Sequence, residues 1–418
     1  MQRGPGLGGG SGGLDERAQV GVGLKPTLGL VSTTGVVPAC RSYDTVSVFG
    51  ANLTIATAAL RTIAQCDPHD ARSRTWPADA PLAAPRSPRL AIPAPPNLTS
   101  LDRETARDFA TARERLASLG LTTVEVDIDP LFQAARLLYD GALVAERAEA
   151  FGEVAAQHPG ELDPVVEKIV AAACKTQGAQ VIRDQHHLLA AKRHVRTLFR
   201  DIDILLVPTS PIHPTTDAVA DDPIGLNSTI GTFTNFVNLL DLCAVAIPGL
   251  PEQTTTTTDG ITLIGPAFHD QVLLDVGARI LGEQSPLLPP GGTEVAIFGA
   301  HMSGQPLNHE LEQLGARHLG EITTSNDYRM IVLDMTPPRP AIVPAPGTGA
   351  VLRGELWRIP TANVGTLVTD LFKPPLGLGH ITTANGSSTL ACVGIGATGE
   401  DITATGNWAQ WLHDQEER

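Results

Sequence analysis

Past a Gly-rich opening, the chain settles into an ordered succession of apolar patterns from Gly23 onward. Residues 1–20 are rich in glycine and then charged, and carry no apolar period. Thr45 to Ala64 places Val46, Phe49, Leu53, Ala56 and Leu60 at helical spacing, which predicts a helix ending before the polar loop DPHDARSR. Residues 67–100 are dominated by Pro and polar side chains, and the run Arg89–Pro93 predicts a strand within them. Ser100 reads as an N-cap, with Asp102 and Glu104 in the first turn, where negative charge suits the helix dipole. The predicted buried stripe of that helix is Ala106, Phe109, Ala110 and Leu116, and Gly120 is its stop.

Alternation at Val124, Val126 and Ile128 predicts a strand, followed by a helix from Pro130 and another over Ala179–Phe199. The run Asp203-Ile-Leu-Leu-Val-Pro-Thr-Ser is continuous in its apolar part, as in a strand buried on both faces. Strands alternating with helices imply an α/β architecture around a central sheet. Ser285 to Thr293 is a Pro- and Gly-rich linker. Beyond it the β-like runs Val295–Phe298, Arg329–Leu333, Glu355–Ile359, Thr366–Leu371 and Leu390–Ile395 predict a small β-rich domain. The Thr254–Thr258 run reads as a surface loop. The predicted organisation is an irregular N-terminus (1–21), a first domain (22–284), a linker (285–293) and a second domain (294–413).

Composition narrows the function classes. The 418 residues are 42% hydrophobic and 18% charged, with a net charge of −15, enough for a large core. No basic stripe is present, so nucleic acid is excluded as an expected partner. No apolar run approaches the roughly 18 residues that cross a bilayer, and the N-terminus lacks the apolar centre of a signal peptide, so no membrane association is expected. Cys40, Cys66, Cys174, Cys243 and Cys392 are odd in number and scattered, which suits a reducing cytoplasm better than a disulfide framework or a zinc site. His186, His187 and His194 share one predicted helix without a carboxylate or Cys at ligand spacing, so they read as surface residues and no metal is expected.

The stretch VGLKPTLGLVSTTGVVPACRSYDTVSVFG resembles the segment that follows the catalytic region of amidase-signature enzymes. More narrowly, LLYDGALVAER (137–147), ILLVPTSP with NLLDLCAVAIP (204–248), ITLIGPAF (261–268) and VAIFGAHMSGQPLNHELEQLGARH (295–318) resemble allophanate hydrolases. The resemblance covers about residues 22–413. It implies an α/β fold with an incomplete amidase-signature domain, a central mixed sheet flanked by helices, plus a small β-rich α+β domain like a γ-glutamyl cyclotransferase. It implies hydrolysis of urea-1-carboxylate (allophanate) to ammonia and carbon dioxide, with no cofactor. It also implies a functional link to a biotin-dependent urea carboxylase; a homodimer is a further expectation for the chain itself. Another amidase-signature amidohydrolase, or a non-catalytic remnant pairing with an intact homologue, are the alternatives.

Such enzymes use a lysine, a serine held by a cis peptide bond and a nucleophilic serine, because an ordinary hydroxyl attacks an amide poorly without a base. In the family the lysine and middle serine precede GLKPT, and the residues before Gly23 here cannot supply both. The expectation is a chain truncated or rearranged at its N-terminus, with the amidase step impaired. Such a chain would expose apolar faces of its sheet and associate. Ser11, in Gly10-Ser11-Gly12, is either a remnant of the nucleophile or a serine in a glycine-rich tail. Lys25 lies within GLKPT itself, which the family does not use as its base.

Tyr139 and Arg147 match residues that contact substrate in the family, where an Arg fork would grip a carboxylate. Spacing alone also suits a surface Arg beside Glu146 and Glu149. Arg41 and Ser42 lie in the site-proximal loop, with Asp44 fixing its turn or capping the helix beyond. In the second domain, the resemblance implies decarboxylation of the N-carboxycarbamate released by the amidase. His301 in Gly299–Gly304 is the expected acid/base, with Asn308 supporting the loop and Arg329 contacting the anion; a loop histidine satisfied by backbone is the alternative. No counterpart of the cyclotransferase glutamate is evident, and Glu355 reads as part of a strand.

Overall fold

The computed structural model describes residues 21–138, 141–249 and 260–417. It divides into two compact units. The first comprises residues up to Thr75 together with Ser87–Leu288, and the second comprises Trp76–Arg86 together with Pro289–Arg418.

The first unit is built on a mixed sheet of β1 (Val22–Lys25), β2 (Val48–Gly50), β3 (Leu90–Pro93), β4 (Thr123–Val126), β5 (Ile204–Pro208), β6 (Leu242–Ile247) and β7 (Ile261–Pro266), in the order β2-β1-β6-β7-β5-β3-β4. The pairs β3–β4 and β3–β5 are parallel; the others are antiparallel. Every residue of β5 is buried, as its uninterrupted apolar run predicts. The edge strands behave differently. On β4, Val124 is 55% exposed, because an edge strand has a packed partner on one side only. Only Ile128 of the alternating trio is fully buried, and it lies beyond the strand as the N-cap of helix Asp129–Arg136.

Two further sequence expectations shift. The predicted helix over 45–64 is a strand, β2, followed by helix Leu53–Ile63. Asn52 caps it by accepting the Ile55 N–H. Phe49 belongs to the strand, not the helix, and is 55% exposed. The helix expected from Ser100 starts at Arg103, because the Asp102 carboxylate accepts the Thr105 N–H. Its buried stripe is Thr105, Phe109, Ala112 and Leu116, while Ala106 and Ala110 face outward. Spacings of four, three and four residues track one face of a 3.6-residue helix more closely than the predicted set.

The second unit holds a five-stranded sheet and a three-stranded one. The first is β13 (Leu376–Thr382), β14 (Ser388–Gly394), β8 (Thr293–Ile297), β12 (Arg353–Ile359) and β9 (Arg317–Thr323), in that order. The second is β11 (Arg339–Pro344), β10 (Tyr328–Leu333) and β15 (Glu400–Asp401). Their shared core includes Met330, Ile342 and Trp357. The segment Trp76–Arg86 is stitched to this unit: the Leu82 N–H donates to the Gly315 carbonyl and Ala362 N–H to that of Ala78. The β-like run at Thr366–Leu371 is helical instead, continuing from Val364. No helix among the described residues is long and apolar enough to cross a membrane.

Candidate functional site

The GLKPT segment forms β1 and the turn after it, and places three buried polar groups together. The Asp270 carboxylate accepts the Thr27 backbone N–H at 2.8 Å and its hydroxyl at 2.7 Å. The Thr27 hydroxyl oxygen in turn accepts the Phe268 N–H. Lys25 Nζ is buried, with no hydrogen-bond partner among the described residues. Desolvation lowers its pKa to about 8, opposed by the charges of Cys243, Asp270 and Asp241 and reinforced by Arg74. Burial also raises the Asp270 pKa, against the bonds from Thr27. This network ties β1 to helix Asp270–Leu281.

The loop that follows is held by carboxylates. Asp67 and Asp70 accept from the hydroxyls of Ser32, Thr33 and Thr34, which occupies the serine and threonines of the STTG stretch. Asp44 accepts the N–H groups of Ala39 and Cys40, fixing the turn. The Ser42 N–H donates to Glu146 at 2.7 Å, and Arg41 pairs loosely with Glu149 at 3.8 Å, both groups being exposed. Glu146 and Glu149 lie on helix Ala145–Gln157 with Arg147, whose charge reaches the buried Cys40 thiol. Burial pushes that thiol up to about 12. The structure thus brings Arg41, Ser42 and Arg147 to one loop–helix junction.

Tyr139 and Ser11 lie outside the described residues. The route from 137 to 147 is not one continuous helix. Helix Asp129–Arg136 ends, Gly141 is extended, a short 3-10 turn covers Ala142–Val144, and a new helix begins at Ala145. The Asp184 carboxylate accepts the Ala142 N–H at 2.7 Å. A Cβ at Gly141 would lie 2.7 Å from the Leu137 carbonyl oxygen and 2.8 Å from Asp184, so glycine is what lets the chain turn here. His186, His187 and His194 lie along helix Gly178–Asp201.

In the second unit, β8 runs into a tight loop. Met302 N–H donates to Gly299 O, Leu307 N–H to Ala300 O, and the Asn308 side-chain amide to the His301 carbonyl at 2.9 Å. Asn308 therefore supports the loop. His301, 4% exposed, approaches Glu310 with 2.7 Å between Nε2 and a carboxylate oxygen, and its ring meets that of Phe372 edge-on. Desolvation lowers the His301 pKa, while the hydrogen bond and charge of Glu310 raise it; Arg339 and His309 add to the lowering. A Cβ at Gly299 would sit 2.3 Å from Pro340 Cγ, so only glycine lets this loop press against the start of β11.

That contact matters because Arg339, 8% exposed, lines the same small cavity as His301. The cavity has about 20 Å³ of free space, and Phe298, Phe372 and Cys392 are among its apolar walls. One Arg339 Nη donates to the Leu371 carbonyl at 2.6 Å, while its Nε is buried with no hydrogen-bond partner among the described residues. An orphaned buried donor costs about 1–3 kcal/mol. Arg329 does not line this cavity: it is exposed on β10 and pairs with Asp401 at 3.6 Å. Glu355 does lie on a strand, β12. Its carboxylate accepts the Ser303 N–H and the Trp357 indole N–H, so it braces the same loop. Sequence reasoning missed Glu310 and Arg339. Glu310 could have been sought two residues past Asn308, in the first turn of the same helix, but nothing in PPRP distinguishes a buried arginine from an exposed one.

Comparison with known proteins fits both units. The family described as amidase matches residues 19–274, and the allophanate hydrolase C-terminal domain matches residues 293–413. The class is therefore that of an amidohydrolase carrying an appended β-rich domain. The structure of the Kluyveromyces lactis allophanate hydrolase superposes with a TM-score of 0.81 at 32% identity, covering 95% of this chain and 70% of that one. The chain belongs to the allophanate hydrolase family of amidases. The K. lactis urea amidolyase structure gives a TM-score of 0.82 at 33% identity, covering 95% of this chain and 26% of that one. The urea amidolyase of Lachancea kluyveri is 34% identical, covering 94% of this chain. The chain spans 23% of that relative's length.

Proposed function

We propose that this chain acts in urea breakdown on the products of allophanate, with its second unit decarboxylating N-carboxycarbamate. The observation that carries this reading is the contact of Glu310 with His301, which lines one small cavity together with Arg339. The reaction breaks one C–N bond: ⁻OOC–NH–COO⁻ plus a proton gives carbon dioxide and H₂N–COO⁻. The electron pair of the breaking bond goes to nitrogen, which must receive the proton as carbon dioxide departs. His301 supplies it. Burial keeps the ring below its ordinary pKa in the free protein, and an arriving dianion, with Glu310 behind it, favours the imidazolium. Carbon dioxide then leaves along the apolar wall.

The first unit holds the family's substrate-side loop, with Arg147 as the carboxylate contact and Arg41 and Ser42 at its margin. The setting is a reducing cytoplasm beside a biotin-dependent urea carboxylase, a reading supported by five free cysteines and by the likeness to urea amidolyases.

Given N-carboxycarbamate, the chain should take up one proton per carbon dioxide formed, and a rate unchanged by His301→Gln would overturn the decarboxylase part.

A further inference from the structure

We propose that Arg339 is the anion-holding residue of the second unit, its guanidinium gripping the carboxylate that remains on the product. The inference rests on the decarboxylase reading above, and three observations carry it. Arg339 is more than nine-tenths buried. One of its donors is already spent on the Leu371 carbonyl, which fixes the side chain, while Nε–H has no partner among the described residues. It lines the cavity that also holds His301, with mostly apolar walls around the two.

Charge decides which carboxylate it takes. The departing group becomes neutral carbon dioxide, so a cation bound to it would stabilise the substrate more than the transition state. The carboxylate that stays keeps its charge throughout, and an arginine can hold it without opposing the reaction. The leaving group is better placed against apolar walls, where loss of charge is favoured. Arg339 is then catalytic in the sense of touching substrate, and His301 acts on the nitrogen beside it. Selectivity follows: the site takes a small carboxylate bearing an adjacent nitrogen or an isosteric methylene, not a neutral amide.

Malonate, in which a methylene replaces the nitrogen, tests this without turnover. Added to the full chain, it should shift the His301 ring resonances and bind in a saturable way; acetamide should do neither. Arg339→Met should weaken malonate binding at least tenfold, and Arg339→Lys should recover part of it. Added guanidinium ion at low millimolar concentration should restore binding to Arg339→Ala. His301→Gln should still bind malonate within about threefold, which separates this inference from the decarboxylase reading. In turnover, Arg339→Lys should raise KM more than it lowers kcat. Because Arg339 also supports Leu371, a variant that fails to fold is set aside in favour of the unsubstituted chain. There, malonate binding that leaves the His301 resonances unmoved, or no binding at all, would overturn the proposal. So would malonate that still shifts the His301 resonances of a folded Arg339→Met variant with unchanged affinity.

Discussion

Thr27 and Asp270 are joined twice, backbone N–H to one carboxylate oxygen and hydroxyl to the other, across 243 residues of sequence. This pair fastens the turn after β1 to the helix that follows β7. It makes GLKPT a structural clasp in this chain. Thr27→Val keeps the shape and deletes the hydroxyl, stranding both the Asp270 oxygen and the Phe268 N–H. We expect a loss of about 1–3 kcal/mol in the unfolding free energy of the first unit, measured by denaturant titration. A change below a few tenths would show that the clasp contributes nothing.

Lys25 makes the stability of this unit depend on alkaline pH in a particular direction. Its folded pKa is about 8 and its unfolded value 10.5. Between those values the unfolded chain binds the extra proton, so this group's contribution to stability rises as pH goes from 8 to 10.5. The rise amounts to about 3 kcal/mol at most. The buried thiols of Cys40 and Cys392, both pushed up to about 12, act in the opposite sense above pH 9. The difference between the parent and Lys25→Met isolates the lysine: it should narrow across this range. Parallel curves would refute the assignment.

His301 predicts an acid-side effect. Its folded pKa lies below the ordinary 6.5, with burial as the largest cause. Its contribution to stability is therefore fully present above pH 6.5 and is lost as pH falls through the folded value. Glu310→Gln removes the group that holds the ring up, so the ring should titrate at still lower pH, as read from its proton resonances. An upward shift would mean that Glu310 does not face the imidazole in solution.

Gly299→Ala tests the close approach of loop and strand. The new methyl would overlap Pro340, next to Arg339. Overpacking of this kind costs about 1–3 kcal/mol. We expect that loss in thermal unfolding of the second unit, together with weaker malonate binding. An alanine variant with parental stability and binding would show that the loop has room to move.

Most of the architecture was legible because burial on both faces writes a continuous apolar run, as at Ile204–Pro208, and long amphipathic helices write their period, as at Gly178–Asp201. Short and edge elements were not. β2 hid inside a pattern that its three residues share with the adjoining helix. The helix at Thr366–Leu371 carries apolar residues too few to show a period. β11, with a proline at its second position and an arginine at its first, looks like a turn until the neighbouring strand pairs with it. In the site, His301 and Asn308 could be read from one Gly-bordered stretch of sequence. Glu310 and Arg339 could not, because burial and an unspent donor are properties of packing. Arg329, the arginine favoured by position in the sequence, sits on the outer side of β10 with Asp401.

Decarboxylation of N-carboxycarbamate by the second unit can be followed as the intermediate forms. Allophanate is supplied to an amidase-competent allophanate hydrolase lacking its own C-terminal domain, and carbon dioxide is followed continuously by mass spectrometry. Adding this chain should accelerate carbon dioxide release in proportion to its concentration, and the His301→Gln variant should not. A release rate identical with and without the chain would contradict the account.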